Sequence, residues 1–238
     1  MKVAAIVPAY NEERRIKLVL NTLAQSPSIG DIIVVSDGST DGTYEAAAGH
    51  NGAKAIKLPQ NVGKGGAMVA GAKCTDADVI AFFDADLVGL TPLHVEALVQ
   101  PVLDGRSDMS IGVFKQGRRC TDWAQKIAPY ISGQRAIRRE DFLSAPGLEG
   151  TRYGVEVSLC RYARSRGLNT VMVPLPGVTH PMKEEKLGLL RGVIARWKMY
   201  WDILKLVVRT PGANGLNIVK PTRQASATGA RSDDLLSR

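Results

Sequence analysis

A chain of 238 residues, 45% of them apolar, can bury the core of one large α/β domain or of a domain with an appendage. Its three cysteines, Cys74, Cys120 and Cys160, are odd in number, widely spaced and without a CxxC pair, which speaks against a disulfide framework or a structural zinc site and fits a reducing cytoplasm. The net charge of +8 favours anionic partners without choosing among phosphorylated small molecules, acidic lipid headgroups and nucleic acid, and no apolar run reaches the ~18 residues a membrane span needs.

The apolar run at 3–7 is too brief for the core of a signal peptide and leads at once into Pro8-Ala9-Tyr10-Asn11-Glu12-Glu13, so it reads as a first strand. Residues 11–13 then open a helix with Ile16, Leu18, Val19, Leu20 and Leu23 as apolar positions and with acidic residues in its first turn, where the dipole suits them. A second strand, Ile32-Ile33-Val34-Val35, is halted by the turn formers at 36–42, and a helix resumes over 44–48. A third strand over 53–58 ends at Pro59-Gln60-Asn61, and Gly63-Lys64-Gly65-Gly66 leads into a small-residue helix over 67–73. The fourth strand, Val79-Ile80-Ala81-Phe82-Phe83, delivers Asp84 and Asp86 to its C-terminal end. Strands alternating with helices in this way predict right-handed crossovers and a parallel sheet. A helix over 92–103 and a fifth strand over 109–114 follow.

Beyond Lys115 the pattern loosens. A polar loop at 116–119 precedes a helix over 123–131, a break at 132–135, a helix over 153–166, a strand over 170–173 and a Pro174-Leu175-Pro176-Gly177 turn that leads to His180. A long helix over 183–209 gathers Arg191, Lys198, Asp202, Lys205 and Arg209 into a mainly basic stripe, with Leu190, Ile194, Trp197, Trp201 and Leu204 elsewhere on the wheel. Such a helix either covers the sheet with its apolar face or lies on an anionic membrane surface. Residues 210–238 carry no sustained apolar period and read as a largely disordered tail.

In an open parallel sheet, ligands bind beyond the carboxyl ends of the strands. Here successive strand ends carry residues 8–12, residues 36–39, residues 61–65 and Asp84-Ala85-Asp86, so polar and conformationally special residues recur at one edge. Asp37 can accept hydrogen bonds from a base or ribose, and Lys64 with the amides of Gly65 and Gly66 can hold phosphate. Asp84 and Asp86, two positions apart in an extended chain, point to one side and repel each other unless a hard cation such as Mg²⁺ or Mn²⁺ joins them. Taken singly, each feature has an ordinary reading. The aspartates also suit a solvent-facing turn, His180 a structural histidine, and Glu156 a solvated helix position. Residues 37–42 begin like a calcium loop, but Ala48 stands where a bidentate Glu is required. The glycines at 63–66 match neither an NTPase loop nor a dinucleotide fingerprint.

Taken together, Val7-Pro8-Ala9-Tyr10-Asn11-Glu12-Glu13, Val35-Ser36-Asp37-Gly38-Ser39-Thr40-Asp41, Asn61-Val62-Gly63-Lys64-Gly65 and Phe83-Asp84-Ala85-Asp86 are specific in order and spacing. The chain resembles the nucleotide-sugar-dependent glycosyltransferases of family 2. The close resemblance covers residues 1–115, and a looser one, to the glucosyl-3-phosphoglycerate and dolichyl-phosphate mannose synthases, runs through Gly154-Val155-Glu156 to His180. It implies an α/β fold of the GT-A type, a Rossmann-like, mostly parallel sheet with helices on both faces, plus the C-terminal amphipathic helix. Residues 1–115 would then be the nucleotide-sugar-binding half and 116–182 the acceptor side of the same domain, followed by the helix at 183–209 and the tail at 210–238.

The resemblance also implies roles. Pro8, Ala9, Tyr10 and Glu12 would line the base and ribose pocket, with Asp37 on the base and Lys64 and Gly65 at the diphosphate. Asp84 would contact the donor ribose or sugar, and Asp86 with His180 would ligate Mg²⁺ or Mn²⁺. Glu156 would sit near the donor sugar or acceptor hydroxyl. Arg135, on a loop closing over the acceptor, would offer a planar cation to phosphate or carboxylate. The QxxRW motif of processive synthases is missing, which favours transfer of a single sugar. The expected partners are a nucleotide-diphosphate sugar of the UDP or GDP type, an acceptor of phosphorylated or lipid-linked kind, and a second copy in a homodimer, in the cytoplasm or at the inner face of the membrane. An inverting route needs a base, for which Glu156 and Glu149 are candidates, whereas a retaining route needs no base in that place, and the sequence is compatible with either. Two other classes compete: a nucleotidyltransferase that makes a nucleotide-sugar, whose usual Gly-rich opening loop is replaced here by Pro8-Ala9-Tyr10, and a nucleic-acid binder, which only the charge suggests. With no recognised motif for it, nucleic acid is not an expected partner.

Overall fold

Strands β1 (Val3–Ala9) and β4 (Val79–Phe82) are apolar on both sides, a pattern satisfied only by a sheet with helices over each face. The computed structural model, which describes residues 1–115, 132–151 and 154–180, contains that sheet. Its other strands are β2 (Asp31–Asp37), β3 (Ala53–Leu58), β5 (Met109–Lys115), β6 (Arg135–Arg138) and β7 (Thr170–Pro176), and the order across it is β3-β2-β1-β4-β6-β5-β7. As the alternating pattern predicts, β3, β2, β1 and β4 are mutually parallel, with Ala4 opposite Asp31 and Val3 opposite Val79.

Alternate residues of the central strands feed two separate cores. Ala5, Val7, Ala81 and Phe83 meet α1 (Ile16–Ala24) and α4 (Pro92–Leu103) through Val19, Leu20, Leu23, Val95 and Leu98. Ala4, Ile6, Ile80 and Phe82 meet α3 (Lys64–Lys73), α5 (Arg139–Ser144) and α6 (Val155–Ser165) through Met68, Ala72, Phe142 and Leu159. The short α2 (Thr43–Ala48) contributes Ala47 to the first of these layers. Each large side chain so buried contributes about 1.5–3 kcal/mol, which fixes the sheet and with it the edge where the loops gather.

Four details differ from the sequence reading. The expected break at 132–135 is the entry to β6, which lies antiparallel between β4 and β5, and α5 follows it directly. The expected turn at 174–177 begins only at Gly177, because β7 continues parallel to β5 as far as Pro176. Its prolines are tolerated because β7 is an edge strand with one side unpaired. Helix α3 starts at Lys64 rather than at 67, since Gly63 adopts φ +89° and turns the chain straight into it. Helix α1 starts at Ile16, so Glu12 and Glu13 precede its first turn. The expected loop at 116–119, helices at 123–131 and 183–209 and tail at 210–238 lie outside the described residues.

Candidate active site

The ends of β1 and β2 are clasped to each other by side chains. Asn11 takes a left-handed φ of 57°, its amide donates to Ser39 Oγ at 3.2 Å, and its Oδ1 accepts from the Thr40 amide at 2.9 Å. The Glu12 amide donates to Thr43 Oγ1 at 2.8 Å. This holds Pro8, Ala9, Tyr10 and Glu12 along the rim, with Ala9 buried and the Tyr10 ring 48% exposed. Asp37 is buried at the end of β2, and its carboxylate accepts the amides of Val62 at 2.8 Å and Gly63 at 3.0 Å. It therefore orients the loop that delivers Lys64, a function its residue type did not announce.

Lys64 opens α3 and is the hub of the edge. Its Nζ lies 2.6 Å from Asp84 Oδ1 and 2.8 Å from Glu156 Oε1. Burial opposes the ammonium charge, but the two carboxylates outweigh it and hold the group above the ordinary lysine value. Burial likewise pushes the Asp84 carboxyl up, and Lys64 followed by His180 overcomes this and keeps it below 3.8. Gln134 Nε2 donates to the other Asp84 oxygen at 2.8 Å.

The second group at the edge is Asp86 with His180. His180 Nδ1 is 3.0 Å from Asp86 Oδ1, and its Nε2 is 3.5 Å from Asp84 Oδ2. An antiparallel bridge brings them together: the Val88 amide donates to Thr179 O at 2.9 Å and the Thr179 amide to Val88 O at 3.0 Å. The Phe114 ring meets the imidazole edge-on at 5.2 Å between centroids. Burial lowers the affinity of His180 for a proton, and the bond to Asp86 and the charge of Asp84 more than reverse that, raising it above 6.5.

The edge thus gathers two carboxylates, those of Asp84 and Glu156, on one ammonium and a third, that of Asp86, on His180, so with a neutral imidazole the cluster carries a net charge of −2. That excess, with one carboxylate and one imidazole side by side, suits a divalent cation such as Mg²⁺ or Mn²⁺. Among the described residues no group of three or more Asp, Glu, His or Cys side chains is arranged to hold a metal ion. The protein's share of such a site would be Asp86 and His180, and phosphate oxygens would complete it.

Three expectations need correction. Arg135 does not face an acceptor: it is fully buried, and its guanidinium donates twice to Ser132 O, at 2.8 and 3.2 Å, and to Glu156 O at 3.2 Å. The Gly65 amide donates to Thr151 O at 3.1 Å and is committed within the protein rather than open to phosphate. Glu149 is exposed, and its carboxylate is paired with Lys73 at 2.6 Å rather than with the Lys64 group. Of the two candidate bases, Glu156 is the one that joins Lys64. Gln134 was not anticipated, because a glutamine beside an arginine carries no sequence signal until β6 is placed next to β4.

Comparison with known proteins identifies the family. Residues 4–161 match the family model for glycosyl transferase family 2. Glucosyl-3-phosphoglycerate synthase of Mycobacterium tuberculosis is 29% identical over 194 residues, covering 66% of this chain and 59% of the relative. The chain therefore spans about three fifths of the length of that relative. Undecaprenyl-phosphate mannosyltransferase of Micrococcus luteus is 26% identical over 238 residues, covering 83% of this chain and 97% of the relative. The crystal structure of the M. tuberculosis synthase with Mn²⁺, uridine diphosphate and glucosyl-3-phosphoglycerate superposes with a TM-score of 0.66 at 26% identity, over 88% of this chain and 81% of that one.

Proposed function

This chain belongs to glycosyl transferase family 2, and from that premise we propose that it moves a single sugar from a nucleotide-diphosphate sugar to a phosphorylated or lipid-phosphate acceptor with the help of Mg²⁺ or Mn²⁺. The observation that carries the proposal is the Lys64 hub beside the Asp86–His180 pair, a cation and a cation site at one sheet edge.

Breaking the sugar–phosphate bond builds negative charge on the departing diphosphate. Asp86 and His180 would hold a divalent cation, which would supply charge stabilisation for that leaving group. Lys64, on the first turn of α3 where the helix dipole favours anions, presents its ammonium to the same phosphates. Pro8, Ala9, Tyr10, Glu12 and Asp37 line the base and ribose side, and Asp84 faces the donor ribose or sugar. In an inverting transfer the Glu156 carboxylate would accept the proton of the acceptor hydroxyl once Lys64 has turned to the phosphates.

Uridine is the preferred base in this reading, because the solved relatives hold uridine diphosphate. The acceptor classes follow from the names of the relatives. Among the described residues no helix is long and apolar enough to cross a membrane. Cys74 and Cys160 are free thiols, in keeping with a reducing cytoplasm. For a lipid-linked acceptor the basic stripe at 183–209 would bring the enzyme to an anionic membrane.

Titration calorimetry with UDP-glucose and GDP-mannose, each with and without Mn²⁺, tests the proposal. Binding of a nucleotide-sugar that depends on Mn²⁺ supports it, and a folded protein that binds neither donor refutes it. Pyrophosphate release from UTP and a sugar phosphate would instead indicate a nucleotidyltransferase.

A further inference from the structure

Two neighbouring residues bond the two acidic residues that close on Lys64, one at its carboxylate and the other at its main chain. Gln134 Nε2 donates to Asp84 Oδ2 at 2.8 Å, and Arg135 Nη1 donates to the main-chain oxygen of Glu156 at 3.2 Å. Both residues are fully buried. The segment that carries them is pinned in turn, since the Gly112 amide donates to Gln134 O at 2.9 Å and Ser132 Oγ donates to Gly112 O. Gly133 permits the close approach: a Cβ there would lie 2.5 Å from Lys64 Nζ and 2.6 Å from Asp84 Oδ2. An ionised carboxylate only accepts hydrogen bonds, so the nitrogen of the Gln134 amide must be the atom that faces Asp84.

We propose that Gln134 is a positioning residue for Asp84, and that residues 132–135 form a rigid strap that sets where Asp84 and Glu156 stand. Lys64 cannot fulfil that task through a reaction cycle. Its ammonium rides on a flexible four-carbon stem, and a donor diphosphate competes with the carboxylates for it. Gln134 is neutral and walled in by β5 and β6, so no anion draws it away, and its bond to Asp84 persists whichever partner Lys64 takes. The strap then supplies preorganisation, holding the Asp84 carboxylate in one orientation before the donor arrives. This rests on the proposed transfer reaction only for the part that Asp84 plays in it.

Two variants and one spectrum test the proposal. Gln134→Met keeps the length and bulk of the side chain and removes the donor, and Gln134→Glu keeps the shape and sets a second carboxylate against Asp84. In sugar transfer from UDP-glucose, each is expected to lose about tenfold or more in kcat. The Mn²⁺-dependent affinity for UDP should fall less than kcat does, because Asp86 and His180 keep their places. A residue that only fills space would leave Gln134→Met at the wild-type kcat, and that result would overturn the proposal. The second readout needs no turnover. In ¹⁵N spectra the Gln134 side-chain amide should be shifted from the free-amide position and protected from exchange, and Asp84→Asn should move it. An amide that ignores Asp84→Asn overturns the positioning role. Failure of the wild type to bind any nucleotide-sugar overturns the functional reading and leaves the spectrum to decide the positioning role.

Discussion

The ammonium of Lys64 lies 2.6 Å from the carboxylate of Asp84, joining the first turn of α3 to the end of β4. With Glu156 at 2.8 Å on α6, the same cation ties three elements at the C-terminal edge of the sheet. Removing it leaves two partly buried carboxylates facing each other. Lys64→Met should therefore lose about 1–3 kcal/mol of stability, less than a fully buried pair would because the side chains keep some solvent contact. Urea unfolding at neutral pH measures this, and an unchanged midpoint would contradict it.

The acid limb of stability follows from the depressed Asp84 carboxyl. A group whose folded pKa lies below its ordinary 3.8 contributes stability that is fully present above that value and is lost as the pH falls through the lower, folded one. The gap in unfolding free energy between wild type and Asp84→Asn should therefore narrow as the pH drops below 3.8. Curves that stay parallel into that range would show that Asp84 is not held by Lys64 in solution.

His180 gives the opposite sign. Its raised pKa contributes stability present below 6.5 and lost as the pH climbs through the folded value. A metal needs the neutral ring, so binding must displace the proton. Mn²⁺ affinity in the presence of UDP should rise with pH over about 6–8. Calorimetry in two buffers of different ionisation enthalpy should show proton release from the wild type and none from His180→Ala. Equal heats in both buffers from the wild type would remove His180 from the metal site.

Arg135 tests the correction to the sequence reading. Its substitution by methionine strands the Ser132 carbonyl, which accepts twice from the guanidinium, at about 1–3 kcal/mol, and removes a further bond to the Glu156 carbonyl. A loss near ~3 kcal/mol lowers the melting temperature by roughly 6–12 °C in a protein of this size. A variant that melts with the wild type and loses only acceptor affinity would restore Arg135 to the acceptor side.

Much of the first half was legible because its central strands, β1, β2 and β4, are apolar on both faces and its strands end in turn formers and polar residues. Val79 to Phe82 could be little other than a central strand, and Asp84 and Asp86 then had to stand at its end. β6 escaped because two of its four residues are arginines, and one of them is buried without any apolar signature. β7 was cut short because Pro174 and Pro176 usually mark turns, and only its edge position admits them. The roles of Asp37 and Gln134 arise from contacts with residues 62–63 and with Asp84, which sequence distance conceals. The pairing of His180 with Asp86 spans 94 residues and depends on the bridge between Val88 and Thr179.

The central claim is that Asp86 and His180 hold the cation that makes sugar transfer possible. It is tested most directly by Asp86→Ala, matched to the wild type by circular dichroism and melting temperature, in Mn²⁺-dependent turnover of UDP-glucose. Loss of the charge stabilisation that a divalent ion gives the leaving diphosphate should lower the rate by about a hundredfold or more with the fold intact. Turnover at the wild-type rate by Asp86→Ala would contradict the account.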